Sequence, residues 1–589
     1  MKSPYEPLNW LVAGEAGYGI TTMGDMFARA CSRAGLHVYG YVEYPSLIRG
    51  GHNLAMVRVG QEPVHGHSPQ VDVLLALNLH TIEVHLHQMA EGGVIIYDHE
   101  SVNWDSAPAL ARGVQVAAVP LARLTKELGA EKIMRNTVAL GASLAICHLD
   151  FSLVESVLQS TFARKGQEVV DFNVKMARAG YDYAKENFKG HLNKELTVPA
   201  TPVKRVVLSG NDAIATAAIK AGLKFMAAYP MTPVTSIMQT VAKWGSKYNI
   251  VMKHAEDEIA AMNMAIGASH MGARSMTASS GGGFSLMVEA LGMAAITETP
   301  LVLVLGTRPG PSTGLPTWTD QSDLRFAMHA SQGEFPRVLF LPGDAEECFD
   351  VTLKAFNYAE KYQMICMILT DKYVGESVVS VEPFEHKSFK VDRGPRLSME
   401  EAMALPANSY KRFAFTESGV SPRAVPGMPN TIYAVSTDEH KEDGDLDESA
   451  ENRIKMMNKR AQKLLTLGKE SLPEEDRYTL HGPAEAELTL VGWGSTKGPL
   501  LEAMDVANSN GKSVNFLQIR CALPFPTESI ARILNGAKRC LLVENNSEAQ
   551  MGGVIREQTG ILLDRKLLRY DGRPLSAPDI LDAIETHYE

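Results

Sequence analysis

At 589 residues, 45% hydrophobic and 21% charged, the chain has an ordinary globular composition. It is too long for one hydrophobic core, so about three domains are expected. A net charge of −11 excludes a broad nucleic-acid footprint, which needs a basic face. The opening MKSPYEPLNWLVAG has no apolar stretch of signal-peptide length, so the expectation is a cytoplasmic protein.

The first predicted unit begins near residue 9, where NWLVAG reads as a strand entering a glycine turn and then a helix. The turn carries Gly14, Gly17 and Gly19 in the order GxxGxG, not the GxGxxG of a dinucleotide fingerprint, so alone it is a weak signal. Together with SLIRGGHN, which supplies Ser46, Arg49, Gly50, Gly51 and His52, it makes a surface suited to phosphate. A polar stretch with two prolines near 195–205 marks a boundary. A second strand–turn–helix unit opens near residue 206 with VVLSGNDAIATAAIKAG.

In YPMTPVT, starting at Tyr229 and Pro230, two prolines fix the backbone around Thr232 just after a strand. A hydroxyl held there suits ligand contact, and a helix N-cap is the competing use. Next, AEDEIAAMNMAIGASH reads as a helix with Glu258, Ala261, Ala265 and Ala268 on one stripe. Such a stripe lets a backbone or a flat ligand come close, with Glu258 at its N-terminal end. Glu256 and Asp257 read as complements to the helix dipole.

The turn Ser279, Ser280, Gly281 and the two glycines after it open another helix, whose free N–H groups could meet an anion or a cofactor ring. A plain tight turn is the alternative. Val288–Gly306 is apolar but carries Glu289 and Glu298, and reads as a buried helix and central strand rather than a membrane span. Arg308 then ends the strand LVLVLGT. An arginine there needs an anion, either a substrate carboxylate or an internal partner.

From about 385 to 485 the chain reads as a connector: proline-rich, then the acidic run TDEHKEDGDLDESAEN, then the basic helix RIKMMNKRAQKLLTL. The acidic run lacks the alternating oxygen ligands of an EF-hand. LTLVGWGSTKGPLLEA opens the third strand–turn–helix unit near residue 488. The six cysteines form no CxxC pair, so no iron–sulfur or zinc site is expected in this chain, and they read as buried thiols.

YPMTPVT, EDEIAAMNMAIGASHMGARSMTASSGGG, TRPGPSTGLPTWTDQSDL and VGWGSTKGPLLEA with ENNSEAQMGG together resemble the 2-oxoacid:ferredoxin oxidoreductases. The likeness is to the α subunit of the 2-oxoglutarate synthase type, with its γ domain fused at the N-terminus. It covers nearly the whole chain and implies an α/β protein. A γ-type domain is expected over 1–195 and a pyrimidine-binding-like domain over 196–390. A connector over 391–485 and a transketolase C-terminal-like domain over 486–589 complete the order.

The resemblance further implies thiamine diphosphate chemistry: decarboxylation of a 2-oxoacid, single-electron transfer through a four-iron four-sulfur cluster to ferredoxin, and acyl transfer to coenzyme A. Glu258 takes the position of the acid that hydrogen-bonds the aminopyrimidine ring nitrogen, a role that asks for a dry pocket. Thr232 and Arg308 take the positions that hold the substrate's carboxylate and keto groups. Tyr229, Pro230, Ser279, Ser280 and Gly281 are the expected thiamine neighbours. Gly14, Gly17, Gly19, Ser46, Arg49, Gly50 and Gly51 are the expected coenzyme A contributors.

No GDG with a following Asn-rich segment is present, since DGD at Asp443–Asp445 lies in the connector. A β subunit is therefore expected to bring Mg²⁺, the diphosphate grip and the cluster, in an α2β2 heterotetramer, and this chain alone should be inactive. The fused arrangement favours 2-oxoglutarate over pyruvate or branched-chain 2-oxoacids. Arg49, His52, Lys253 and His329 are candidates for a second carboxylate contact. A thiamine enzyme that does not use ferredoxin and a non-catalytic interaction subunit are the competing readings. No nucleic acid or membrane partner is expected.

Overall fold

The computed structural model describes residues 7–47, 50–194, 196–384 and 388–588. They fall into two compact units. The first comprises residues 7–208 with 376–384 and 576–581. The second comprises 209–375, 388–575 and 582–588.

The first unit is built on an eight-stranded sheet. Its order is Gln115–Ala118, Met89–Tyr97, Val71–Ala76, Leu8–Glu15, His52–Gly60, His37–Glu43, Val378–Val381 and Val206–Ser209. The strands from Leu8–Glu15 to Gln115–Ala118 run parallel. Those from Leu8–Glu15 through His52–Gly60 and His37–Glu43 to Val378–Val381 run antiparallel. Half of this sheet is therefore antiparallel, where alternating strand and helix signals point to parallel strands. Few residues separate His37–Glu43 from His52–Gly60, too few for a crossover helix, and so short a connection returns a strand antiparallel. Val206–Ser209 also departs from the reading, since it closes this sheet rather than opening the next.

The second unit holds two sheets. The seven-stranded one runs Cys521–Leu523, Arg337–Phe340, Ile365–Asp371, Leu301–Thr307, Ser275–Ser279, Phe225–Ala228 and Val251–His254. All its pairs are parallel except the one made by Cys521–Leu523. Leu301–Thr307 is central and buried along its length, which is why LVLVLGT carries no polar alternation. The five-stranded sheet runs Tyr478–His481, Val514–Ile519, Leu488–Trp493, Cys540–Glu544 and Lys566–Leu568. Side chains from both sheets of this unit share one core, in which Leu305, Met367, Trp493 and Leu542 are buried together.

The connector is held by buried charge. Glu298, just past the helix Gly281–Ile296, accepts from Lys459 at 2.6 Å and also pairs with Lys463, both on the helix Ala450–Glu470. All three side chains are 1% exposed. DGD forms a tight turn in which Gly444 has φ +94 and lies against the Ala434 carbonyl, leaving no room for a Cβ. All six cysteines are unpaired, and five are fully buried. No helix among the described residues is long and apolar enough to cross a membrane.

Candidate active site

Glu258 opens the helix Glu258–His270. The residue before it sets the start: the Asp257 carboxylate accepts from the Ala260 N–H at 2.7 Å and caps the helix. Glu258 is 4% exposed, and its Oε1 is sealed from solvent with no hydrogen-bond partner. An acceptor left in that state costs about 1–3 kcal/mol, and more if charged. Of the two uses open to the small-residue stripe, the close approach of a backbone is the one seen. Ala261 and Ala265 are fully buried and bring the helix close to its own sheet, with Ala261 beside Ala227 and Ala255. The outward face carries Ile259, Asn263, Met264 and Gly267 instead.

Across from Glu258 the strand Ser275–Ser279 turns into the helix Gly281–Ile296. Ser280 occupies the N-cap position without capping, and the hydroxyls of Ser279 and Ser280 are buried without partners. Glycine is required at position 283. A Cβ there would stand 2.0 Å from Ser279 Oγ and 2.6 Å from Glu258 Oε1. A Cβ on Gly281 would stand 2.4 Å from a carboxylate oxygen of Asp323. The glycine turn is thus flanked by two acids, Glu258 on one side and Asp323 on the other.

Thr232 and Arg308 meet directly: Arg308 Nη1 donates to the Thr232 carbonyl at 3.1 Å. Thr232 is not a helix cap, since the next helix, Thr235–Tyr248, takes Val234 at that position. Arg308 Nε is buried and unpartnered. Burial pulls the guanidinium below its usual range, and the charge of Asp323 works against that. Tyr229 is partly exposed, its ring edge-on to His254 with centroids 6.2 Å apart, and Pro230 follows it half-buried.

Asp323 was not singled out from the sequence. It precedes the short helix Leu324–His329 and looks like an ordinary N-cap, yet its side chain makes no cap hydrogen bond. Burial, then repulsion from Asp320, pushes its carboxyl up to about 6, against the pull of Arg308. Two further features were also missed. The loop between Arg308 and Asp323 is clamped by the C-terminal segment: Gln321 donates to the Trp493 carbonyl and accepts from Asn545 N–H, both at 2.8 Å. Gln550 donates to the Ser322 carbonyl at 2.6 Å and accepts from Arg325 N–H at 3.0 Å. The motifs VGWGS and ENNSEAQ therefore hold the arginine loop in place.

In the first unit, Gly14 and Glu15 lie in register with Asn53 and His52, so the glycine loop and the start of the strand His52–Gly60 share one end of the sheet. Gly17, Gly19, Gly50 and Gly51 all have left-handed φ. Ser46 is exposed, and Arg49 lies outside the described residues. His52 Nε2 is 2.7 Å from His85 Nε2, and burial pushes His52 down to about 4. Of the other second-contact candidates, Lys253 is exposed on the edge strand Val251–His254 and His329 is exposed at the far end of Leu324–His329.

The chain is 32% identical to the α subunit of 2-oxoacid:ferredoxin oxidoreductase from Saccharolobus solfataricus, over 98% of this chain and 97% of that one. This chain belongs to the 2-oxoacid:ferredoxin oxidoreductase family. Three family models match along it: pyruvate ferredoxin/flavodoxin oxidoreductase over residues 9–183, the thiamine diphosphate-binding part over 216–459, and core domain II of pyruvate:ferredoxin oxidoreductase over 486–572. Its fold matches the 2-oxoglutarate:ferredoxin oxidoreductase of Magnetococcus marinus, solved with 2-oxoglutarate, coenzyme A and succinyl-CoA bound. The TM-score is 0.91 at 31% identity, with full cover of both chains. The 2-oxoglutarate oxidoreductase subunit KorA of Mycobacterium tuberculosis is 28% identical over 92% of this chain and 86% of its own.

Thr232, Glu258, the glycine turn and Arg308 all fall in the stretch matched by the thiamine diphosphate-binding model. The geometry fits that group's aminopyrimidine end: a buried carboxylate oxygen and two hydroxyls without partners, beside a turn stripped of side chains. Among the described residues no group of three or more His, Cys, Asp or Glu is placed to hold a metal ion.

Proposed function

We propose that this chain is the α subunit of a coenzyme A-acylating 2-oxoglutarate:ferredoxin oxidoreductase. It interconverts 2-oxoglutarate plus coenzyme A with succinyl-CoA plus CO2, and ferredoxin carries the electrons. The observation that carries the reading is the sealed, unpaired Oε1 of Glu258 against Gly283, within a full-length likeness to an enzyme solved with those compounds.

Thiamine diphosphate, when bound, supplies the carbon nucleophile for the keto group. Glu258 meets the aminopyrimidine ring nitrogen and holds a proton there at Oε1, in a pocket from which water is excluded. Arg308 and Thr232 bind the substrate's carboxylate and keto groups, with Arg308 aimed by the Thr232 carbonyl. Ser279, Ser280, Gly281, Tyr229 and Pro230 shape the ring's surroundings. In the first unit, Gly14, Gly17, Gly19, Ser46, Arg49, Gly50 and Gly51 contribute to coenzyme A binding. A β subunit completes the enzyme as an α2β2 heterotetramer in the cytoplasm, bringing Mg²⁺, the diphosphate grip and one four-iron four-sulfur cluster.

Co-expression with the partner subunit tests this. The complex should be brown and should reduce a low-potential acceptor only when 2-oxoglutarate and coenzyme A are both present, while this chain alone should be inactive. Glu258→Gln should assemble normally and lose roughly 100-fold or more of turnover, the usual scale for removing an acid–base group. Turnover of pyruvate without 2-oxoglutarate would reassign the substrate.

A further inference from the structure

The SGND motif at Ser209–Asp212 starts the helix Gly210–Lys220 and also reaches the loop that carries Thr232. Asn211, in the first turn of that helix, is fully buried. Its Nδ2 donates to the Pro233 carbonyl at 2.8 Å and to Ser236 Oγ at 2.9 Å. A side-chain amide has two N–H donors, so both are taken. The reversed amide would set oxygen against the Pro233 carbonyl. Asn211 Oδ1 is sealed without a partner and packs on Gly375, where an added Cβ would stand 3.0 Å from it. From the other side Gly306 admits the loop: a Cβ there would stand 2.5 Å from Val234 Cγ1 and 3.0 Å from Pro233 Cγ. Two successive carbonyls of one loop are thus each held by a side chain, Thr232 by Arg308 at 3.1 Å and Pro233 by Asn211. The prolines at 230 and 233 bring no N–H with which the backbone could fix itself.

This deepens the reading proposed above and rests on it. We propose that Asn211 is a positioning residue for the 2-oxoacid site: by holding the Pro233 carbonyl it fixes the adjoining Thr232 carbonyl, and with it the direction in which Arg308 meets the substrate carboxylate. Asn211 itself does not touch the substrate. Among the described residues the Thr232 carbonyl is the one hydrogen-bond partner of Arg308, whose Nε is sealed and unpaired. The guanidinium is a rigid planar fork, so a shift of its one anchor turns the whole group. Misplacement by about 1 Å is enough to cost up to about 100-fold in rate.

The test uses the chain assembled with its partner subunit and thiamine diphosphate. Asn211→Ala should lower kcat/KM for 2-oxoglutarate by about tenfold or more and leave KM for coenzyme A within about twofold. Hydrogen–deuterium exchange at the thiazolium carbon, which needs Glu258 but no substrate, should stay within about twofold of wild type. Thr240→Val removes the neighbouring bond between the same two helices, from Thr240 Oγ1 to Asp212 at 3.0 Å. It should leave kcat/KM within about twofold. Added to Arg308→Lys, Asn211→Ala should cost little more, because residues that act as one unit do not add. Should Asn211→Ala not assemble, Asn211→Asp, equal in size, sets an oxygen against the Pro233 carbonyl and should give the same pattern. Wild-type kcat/KM in the Asn211 variant overturns the proposal and leaves the functional reading intact. So does exchange slowed by the same factor as turnover, or full multiplication of the two losses in the double variant, as a merely structural role would give. A wild-type complex that does not turn over 2-oxoglutarate overturns both.

Discussion

Glu258 and Asp323 face the same glycine turn from opposite sides, and the sequence disclosed them unequally. Glu258 was legible because a carboxylate at the head of an alanine-rich helix, followed by a serine–glycine turn, is an unusual grouping. The alanines of its stripe serve the approach of the sheet, and what frees the acid's surroundings is Gly283. Asp323 was hidden because an aspartate before a helix normally caps it, and this one does not. Its ionisation also bears on stability. An unfolded aspartate titrates at 3.8 and the folded one at about 6, so the folded chain holds the extra proton between those values. The contribution is present below about pH 4 and lost as pH rises through 6. Asp323→Asn should therefore raise Tm over the wild type at pH 8 and leave it unchanged at pH 4, as thermal melts at the two pH values would show.

At the scale of elements, the decisive contact is between two helix starts, Glu258 on one and the glycine turn on the other. A methyl group at 283 has no space beside Ser279 Oγ and Glu258 Oε1. Gly283→Ala should cost about 1–3 kcal/mol, the usual scale of overpacking. It should also cut kcat sharply by displacing the acid, whereas Gly267→Ala, which meets open space, should leave kcat near normal. Equal kcat in the two variants would show that the turn does not position Glu258. The strand–turn–helix grammar located these elements well, because buried parallel strands and glycine turns are local signals. It misplaced Val206–Ser209, whose neighbours come from distant sequence, and it gave no hint that ENNSEAQ clamps the arginine loop.

For the molecule as a whole, composition marks out the connector and its basic helix, but the burial of Lys459 and Lys463 cannot be read from it, because a basic amphipathic helix normally keeps its charges in water. Both lysines depend on Glu298. Glu298→Gln would leave two ammonium groups sealed together and should cost about 3–5 kcal/mol, seen as a large fall in Tm. Glu298→Gln with Lys463→Met should recover part of it. Burial drives Lys463 down to about 7 from 10.5, so its own contribution rises as pH climbs between those values.

The proposed function depends on an acid in this chain acting on a coenzyme held largely by another. The most direct measurement is the rate of hydrogen–deuterium exchange at the thiazolium carbon of thiamine diphosphate bound to the assembled enzyme. Acid-quenched samples of wild type and Glu258→Gln would be compared. Exchange should be slowed by roughly 100-fold or more in the variant, with cofactor binding retained. Equal exchange rates in the two enzymes would contradict it.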